Sequence, residues 1–154
     1  MKNLDTILFL HGLESTPGGT KSNFLRKRGY KVLNPAMPKH SFWESVKIAQ
    51  EIVDRENPSV IVGSSRGGAV ALCLHTEAKL VLVAPAWKRY AKTCSRRVPP
   101  SATIIHSKDD KVIPFADSEA LALASGATLV DAGSSHRMAD TEALVAIERA
   151  VRNK

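Results

Sequence analysis

The sequence predicts an α/β protein, a three-layer α/β/α sandwich around a mostly parallel six-stranded sheet. Three observations carry that expectation: short apolar runs recur at regular spacing, the segments between them have helical apolar periodicity, and one run breaks into Gly-x-Ser-x-Gly before a helix. The runs Thr6 to Leu10, Lys31 to Asn34, Ser59 to Gly63, Lys79 to Ala84, Ala102 to His106 and Ala127 to Val130 read as strands. Lys21 to Arg28, Phe42 to Glu56, Gly67 to His75, Phe115 to Ser125 and Thr141 to Arg152 read as helices, with stripes such as Val46, Ala49 and Val53, or Leu144, Ile147 and Val151. Strand and helix in alternation imply a parallel sheet covered on both faces. Pro85 to Pro100 has no clear periodicity and reads as a loop. With the first two strands paired and the third returning beside the first, the expected order is 2-1-3-4-5-6. The loops after strands 1 and 3 then flank the switch point where open α/β sheets bind ligands.

The turn after the third run, Val62-Gly63-Ser64-Ser65-Arg66-Gly67-Gly68-Ala69, has the layout of a nucleophile elbow. A serine hydroxyl is a poor nucleophile unless it is exposed, beside a base and near amide donors, and a tight strand-to-helix turn supplies exposure and donors together. Gly63 and Gly67 remove the crowding that such a turn imposes two residues before and after its centre. Ser65 is the candidate nucleophile. It needs a histidine base and a carboxylate to orient that base. The run ending at His106 enters the polar turn Ser107-Lys108-Asp109-Asp110-Lys111-Val112-Ile113-Pro114, which offers Asp109 or Asp110 at a strand end. The last run leads into Asp131-Ala132-Gly133-Ser134-Ser135-His136, which offers His136 as base. His11 and His106 are its rivals, each expected to serve a structural or hydrogen-bonding role. Asp131 and Asp140 read as turn or helix-start residues.

Phe9-Leu10-His11-Gly12-Leu13-Glu14-Ser15, the Gly63 to Gly68 turn, the His106 to Pro114 segment and Gly133-Ser134-Ser135-His136 stand in the chain order Ser, Asp, His. In these segments the chain resembles the α/β-hydrolase superfamily, and within it the small, nearly lidless serine esterases of the YqiA type. The resemblance spans essentially the whole chain. It implies a trimmed α/β-hydrolase fold lacking the strands that precede the first one in larger members. Setting His106 to Pro114 against the family's His-Gly-x-x-Asp-x-x-Val-Pro selects Asp110, although Ser107 stands where Gly is usual and keeps Asp109 in the choice. Arg66 follows the nucleophile where small or apolar residues are common; its N–H is the expected first oxyanion donor, and its side chain is expected to add positive charge at the mouth of the site. The resemblance implies the Leu13 N–H as the second donor, with Gly12 allowing close approach to the substrate.

A chain of 154 residues with 44% hydrophobic content fits one domain over 1–154, able to bury a sizeable core. No window approaches a membrane span, and the opening Lys2-Asn3-Leu4-Asp5 runs straight into a strand, so the expected location is cytoplasmic, with no membrane partner. Cys73 and Cys94 read as one packed and one incidental cysteine, giving neither a disulfide framework nor a metal cluster. The net charge is +7, and no Asp or Glu occurs between Ala78 and Lys108. There Trp87-Lys88-Arg89-Tyr90-Ala91-Lys92 and Arg96-Arg97 interleave basic and aromatic residues, a composition compatible with nucleic-acid contact. A solvated basic loop is the preferred reading, with nucleic acid not expected as partner. In the family, lids and pocket loops are inserted here, so Trp87 and Tyr90 are expected to shape a substrate pocket favouring anionic or polar acyl groups.

The expected function is a serine hydrolase cleaving carboxylic esters, thioesters or amides through Ser65, His136 and Asp110. No metal or organic cofactor is implied, since the protein supplies nucleophile, base and oxyanion donors. An open site favours short or flexible acyl groups. Two alternatives remain: an acyltransferase using the same intermediate, and a basic nucleic-acid-binding or adaptor protein on a hydrolase scaffold.

Overall fold

Six parallel strands form one sheet in the order β2-β1-β3-β4-β5-β6: β1 (Thr6–Leu10), β2 (Lys31–Leu33), β3 (Val60–Ser64), β4 (Lys79–Val83), β5 (Thr103–His106) and β6 (Thr128–Asp131). The computed structural model describes residues 5–13 and 18–153, apart from the side chains of 95–97. Lys2, Asn3, Leu4, Glu14, Ser15 and the Arg96 and Arg97 side chains, all used in the sequence reading, lie outside the described residues. Every strand pair is parallel, and β1 is registered against both β2 and β3, with Leu8 opposite Leu33 and Ile61.

Successive side chains on a strand point to opposite faces, so each central strand feeds two cores. Leu8, Leu10, Ile61, Leu82 and Ile104 face one side, under α2 (Phe42–Glu56), α3 (Arg66–Leu72) and α5 (Phe115–Ser125), which contribute Ala49, Val53, Ala69, Val70 and Leu121. Ile7, Phe9, Val60, Val62, Val81, Val83 and Ile105 face the other, under α1 (Thr20–Lys27) and α6 (Thr141–Arg152), which contribute Leu25, Ile147 and Val151. The helices start where local chemistry allows. Ser41 caps α2 by accepting the Glu44 N–H at 3.1 Å, and Asp140 caps α6 by accepting the Ala143 N–H at 3.4 Å. No helix among the described residues is long and apolar enough to cross a membrane.

The segment read as a loop contains two short elements, α4 (Trp87–Tyr90) and a 3-10 helix over Lys92–Arg97. Turns this short have no room for an apolar stripe, which is why periodicity did not reveal them. They fold back over α3, and here one expectation is corrected. Cys73 and Cys94 are not separate thiols but a disulfide, with Cα atoms 5.3 Å apart and a separation of 21 positions in sequence. The fold-back supplies the proximity that sequence spacing does not encode. Disulfides are rare in reducing compartments, so this pairing runs counter to the cytoplasmic expectation. In the oxidised protein Cys94→Ser should lower stability by about 3 kcal/mol, the chain-entropy value for a loop of this size. Urea unfolding with and without a phosphine reductant measures it: the wild type should fall to the variant's midpoint on reduction, and identical midpoints before reduction would show that the two sulfurs are not linked.

Candidate active site

β3 ends at Ser64 and α3 begins at Arg66, so Ser65 alone makes the reversal, at φ 55° and ψ −115°. That backbone region costs a non-glycine residue about 1–3 kcal/mol and persists only when its surroundings enforce it. Here the Ser65 N–H donates to the Val83 carbonyl at 2.9 Å, and its own carbonyl accepts from the Gly68 and Ala86 N–H groups, each at 3.0 Å. The flanking glycines have steric roles. A Cβ on Gly63 would lie 2.5 Å from the Gly67 carbonyl oxygen, and one on Gly67 would overlap the Leu10 carbonyl on β1. Gly12, in the loop after β1, sits beside the Ser65 side chain.

Three loops at the C-terminal ends of β3, β5 and β6 bring Ser65, Asp110 and His136 into one line. Ser65 Oγ lies 3.0 Å from His136 Nε2, and His136 Nδ1 lies 2.7 Å from Asp110 Oδ2. An ionised carboxylate only accepts, so Nδ1 carries the hydrogen and Nε2 is left to accept from the serine O–H. The Asp110 side chain is completely enclosed. Its Oδ1 accepts the Val112 and Ile113 N–H groups at 2.7 and 2.8 Å. Burial pushes this carboxyl up, but hydrogen bonds from Ile113, His136 and Val112 outweigh it and hold the group below the usual carboxylate range.

The same Oδ2 accepts a second histidine. His106, fully buried, donates from Nε2 to Asp110 at 2.9 Å, with the Ile113 carbonyl 3.2 Å away, while its Nδ1 meets Ser118 Oγ at 2.6 Å. His106 therefore braces the carboxylate, at a remove from Ser65. Asp109 is exposed, and its N–H donates to Ser107 Oγ at 3.0 Å. Ser107 in turn donates to the Gly133 carbonyl at 2.9 Å, tying the acid's turn to the histidine's loop. His11 binds the Gly12 carbonyl through Nδ1 at 2.8 Å and accepts the Met37 N–H on Nε2 at 3.3 Å, which makes it a neutral brace for the loop carrying Leu13.

Leu13 and Arg66 both line the cleft over Ser65. The Arg66 N–H opens α3, and a first-turn amide has no partner within its helix. The Arg66 side chain departs from expectation. It is only 3% exposed and turns inward, donating to Ser45 Oγ at 3.1 Å and the Pro38 carbonyl at 2.9 Å, with the Phe42 and Tyr90 rings beside its guanidinium. Acceptors on α2 and the chain before it draw it away from the mouth. Tyr90 lines the cleft, whereas Trp87 does not: its indole N–H donates to the Asp117 carbonyl at 2.9 Å and its ring packs on the core.

The sequence matches the uncharacterised protein family UPF0227 over residues 6–98. The chain belongs to that family. No curated protein matches it significantly. Among solved structures it is similar to a protein from Xanthomonas campestris pv. campestris assigned to the hydrolases of the α/β superfamily, at 23% identity and TM-score 0.76, covering 97% of this chain and 95% of that one. The esterase domain of a Rhodothermus marinus protein follows at 18% identity and TM-score 0.73, over 96% and 84% of the two chains. Est1E from Butyrivibrio proteoclasticus, solved with ferulic acid, superposes at 15% identity and TM-score 0.77, over 97% and 87%. These likenesses establish the α/β-hydrolase fold. The UPF0227 match takes in Leu13, Ser65 and Arg66 and stops short of Asp110 and His136, so the candidacy of these two rests on geometry.

In this UPF0227 chain the cleft has a volume of about 760 Å³, and its lining includes two cations that sequence reasoning missed, Lys21 and Arg137. Lys21 Nζ donates to the Arg137 carbonyl at 2.6 Å. Burial and then the Arg137 charge push its pKa down to about 8. A signal existed in the sequence: a lysine in the first turn of α1 opposes the helix dipole, so it needs another reason to be there.

The Asp110 carboxyl gives the site a pH signature. Its native pKa lies below the ordinary value of 3.8, so the stability its ionised form contributes is complete above that value and is lost as pH falls through the lower native one. Asp110→Asn, which does not titrate, should therefore lose less stability than wild type between about pH 5 and about pH 2.5. Urea midpoints at the two pH values decide this, and parallel losses would mean that Asp110 is not a depressed carboxylate.

Proposed function

We propose that the protein is a serine hydrolase that cleaves carboxylic esters, with thioesters and amides as chemically related substrates. The observation that carries this reading is the hydrogen-bonded line from Ser65 through His136 to a saturated, buried Asp110, opening into a cleft at the switch point of the sheet. Likeness in fold to a Rhodothermus esterase domain and to Est1E supports it.

In this mechanism the Ser65 oxygen attacks the ester carbonyl as His136 Nε2 takes the hydroxyl proton. Asp110, already bonded to Nδ1, orients the ring and stabilises the imidazolium that forms. The carbonyl electron pair moves onto oxygen, where the Arg66 and Leu13 N–H groups are the assigned donors; losing one such donor typically costs about 3–4 kcal/mol in the barrier. The carbon–oxygen bond to the leaving group breaks, and the alcohol departs with the proton held by His136. Water then attacks the acyl-Ser65 ester, giving one proton to His136, and collapse releases the acid and restores the serine O–H.

A small fluorophosphonate tests the nucleophile without knowledge of the natural substrate. Intact mass should show one rapid adduct on the wild type, none on Ser65→Ala, and labelling of His136→Ala slowed by on the order of a thousandfold or more. A folded wild type that stays unlabelled would contradict the reading.

A further inference from the structure

Some cations outside the cleft pair with carboxylates: Lys88 with Asp117 at 3.1 Å, Lys108 with Asp131 at 3.6 Å, and Arg152 with Glu148 at 3.7 Å. In the cleft three cations share one space. Lys21 from α1, Arg89 from α4 and Arg137 from the loop after His136 all line it, and among the described residues no Asp or Glu does. Nor, among the described residues, does a carboxylate pair with any of the three. They come from three separate parts of the fold and line the same cleft as Ser65 and His136.

Arg89 and Arg137 are exposed, while Lys21 is partly buried beside the Arg137 charge, so an anion entering the cleft relieves the cost of keeping Lys21 charged there. The Lys21 pKa, pushed down to about 8, expresses that cost. The hydrogen bond to the Arg137 carbonyl uses one of the three ammonium hydrogens and leaves two for a ligand. Two arginines add planar forks suited to the oxygens of a carboxylate or phosphate. Tyr90 also lines the cleft, with the inward Arg66 guanidinium beside its ring and Phe42 stacked on it at 5.2 Å.

We propose that the cleft selects esters carrying a second, anionic group, a carboxylate or a phosphate, which Lys21, Arg89 and Arg137 hold while Ser65 attacks the ester carbonyl. The proposal rests on Ser65 being the nucleophile, and it moves the source of charge selectivity from the 87–97 segment as a whole to three residues, two of them outside it. Low-dielectric walls around one sign of charge also concentrate such substrates at the cleft, an effect that salt suppresses.

The test compares kcat/KM for two 4-nitrophenyl esters of glutaric acid, one with the second carboxyl free and the other with it methylated. The free-acid ester should be preferred by about tenfold or more, and the preference should fall by about tenfold in Arg137→Gln and in Arg89→Gln, and with about 0.5 M salt in the wild type. No preference in the wild type, or one untouched by both substitutions and by salt, overturns the proposal. Calorimetric binding of monomethyl glutarate, dimethyl glutarate and inorganic phosphate to Ser65→Ala separates the two failures. If neither nitrophenyl ester is turned over, the hydrolase reading fails, yet tighter binding of monomethyl glutarate or phosphate than of dimethyl glutarate still upholds an anion site, and equal or absent binding of all three overturns it. Stronger binding of phosphate than of the monoester assigns the anion as phosphate, and the reverse order as carboxylate.

Discussion

Everything at this site depends on the close approach of α3 to the first strand. The Gly67 backbone lies against the Leu10 carbonyl so tightly that no side chain fits between them, and Gly63 sits equally close to Gly67. That contact fixes where the chain turns, which leaves Ser65 in a backbone conformation serine does not otherwise favour. Hydrogen bonds from the ends of β4 and the segment after it, through Val83 and Ala86, lock the turn. The hydroxyl is thereby held over the C-terminal edge of the sheet with the α3 amides behind it. Neither a flexible loop nor a helix interior would supply exposure and fixed donors at once.

The second constraint is saturation of the acid. Asp110 is enclosed by protein, where an ionised carboxylate is costly unless its lone pairs are used. Two backbone amides occupy one oxygen and two histidines share the other. His106 and Ser118 are therefore as much a part of the arrangement as His136, although neither approaches Ser65. Ser107 joins this unit to the histidine loop through the Gly133 carbonyl. Displacing either loop would disturb both, which keeps His136 aligned between Ser65 and Asp110.

Much of this was legible in the sequence. All six strands and the long helices fall where apolar runs and stripes predict them, and the strand order follows from short connections in a parallel sheet. Ser65 and His136 could be named because each follows a recognisable strand, whereas the strand end offered Asp109 or Asp110 and the family resemblance selected Asp110. Apart from the two short turns over 87–97, which are too short to show a stripe, the misses share a physical cause, since each is a contact between residues distant in sequence. The Arg66 guanidinium finds acceptors at Pro38 and Ser45, 28 and 21 residues away, and so leaves the mouth of the cleft. Cys73 meets Cys94 only because a 3-10 helix folds back over α3. Lys21 and Arg137, 116 residues apart, meet at the cleft through the packing of α1 near the loop before α6. Local pattern carries no trace of such encounters.

The proposed chemistry requires Ser65, activated through His136, to form the covalent intermediate. The most direct measurement is to mix the protein with 4-nitrophenyl acetate, quench in acid before turnover is complete, and map the acetyl group by peptide mass. One acetyl group should appear on Ser65, absent from Ser65→Ala and strongly diminished in His136→Ala. Acetylation of Lys21 in place of Ser65, or release of nitrophenol with no acyl-protein at any quench time, would contradict it.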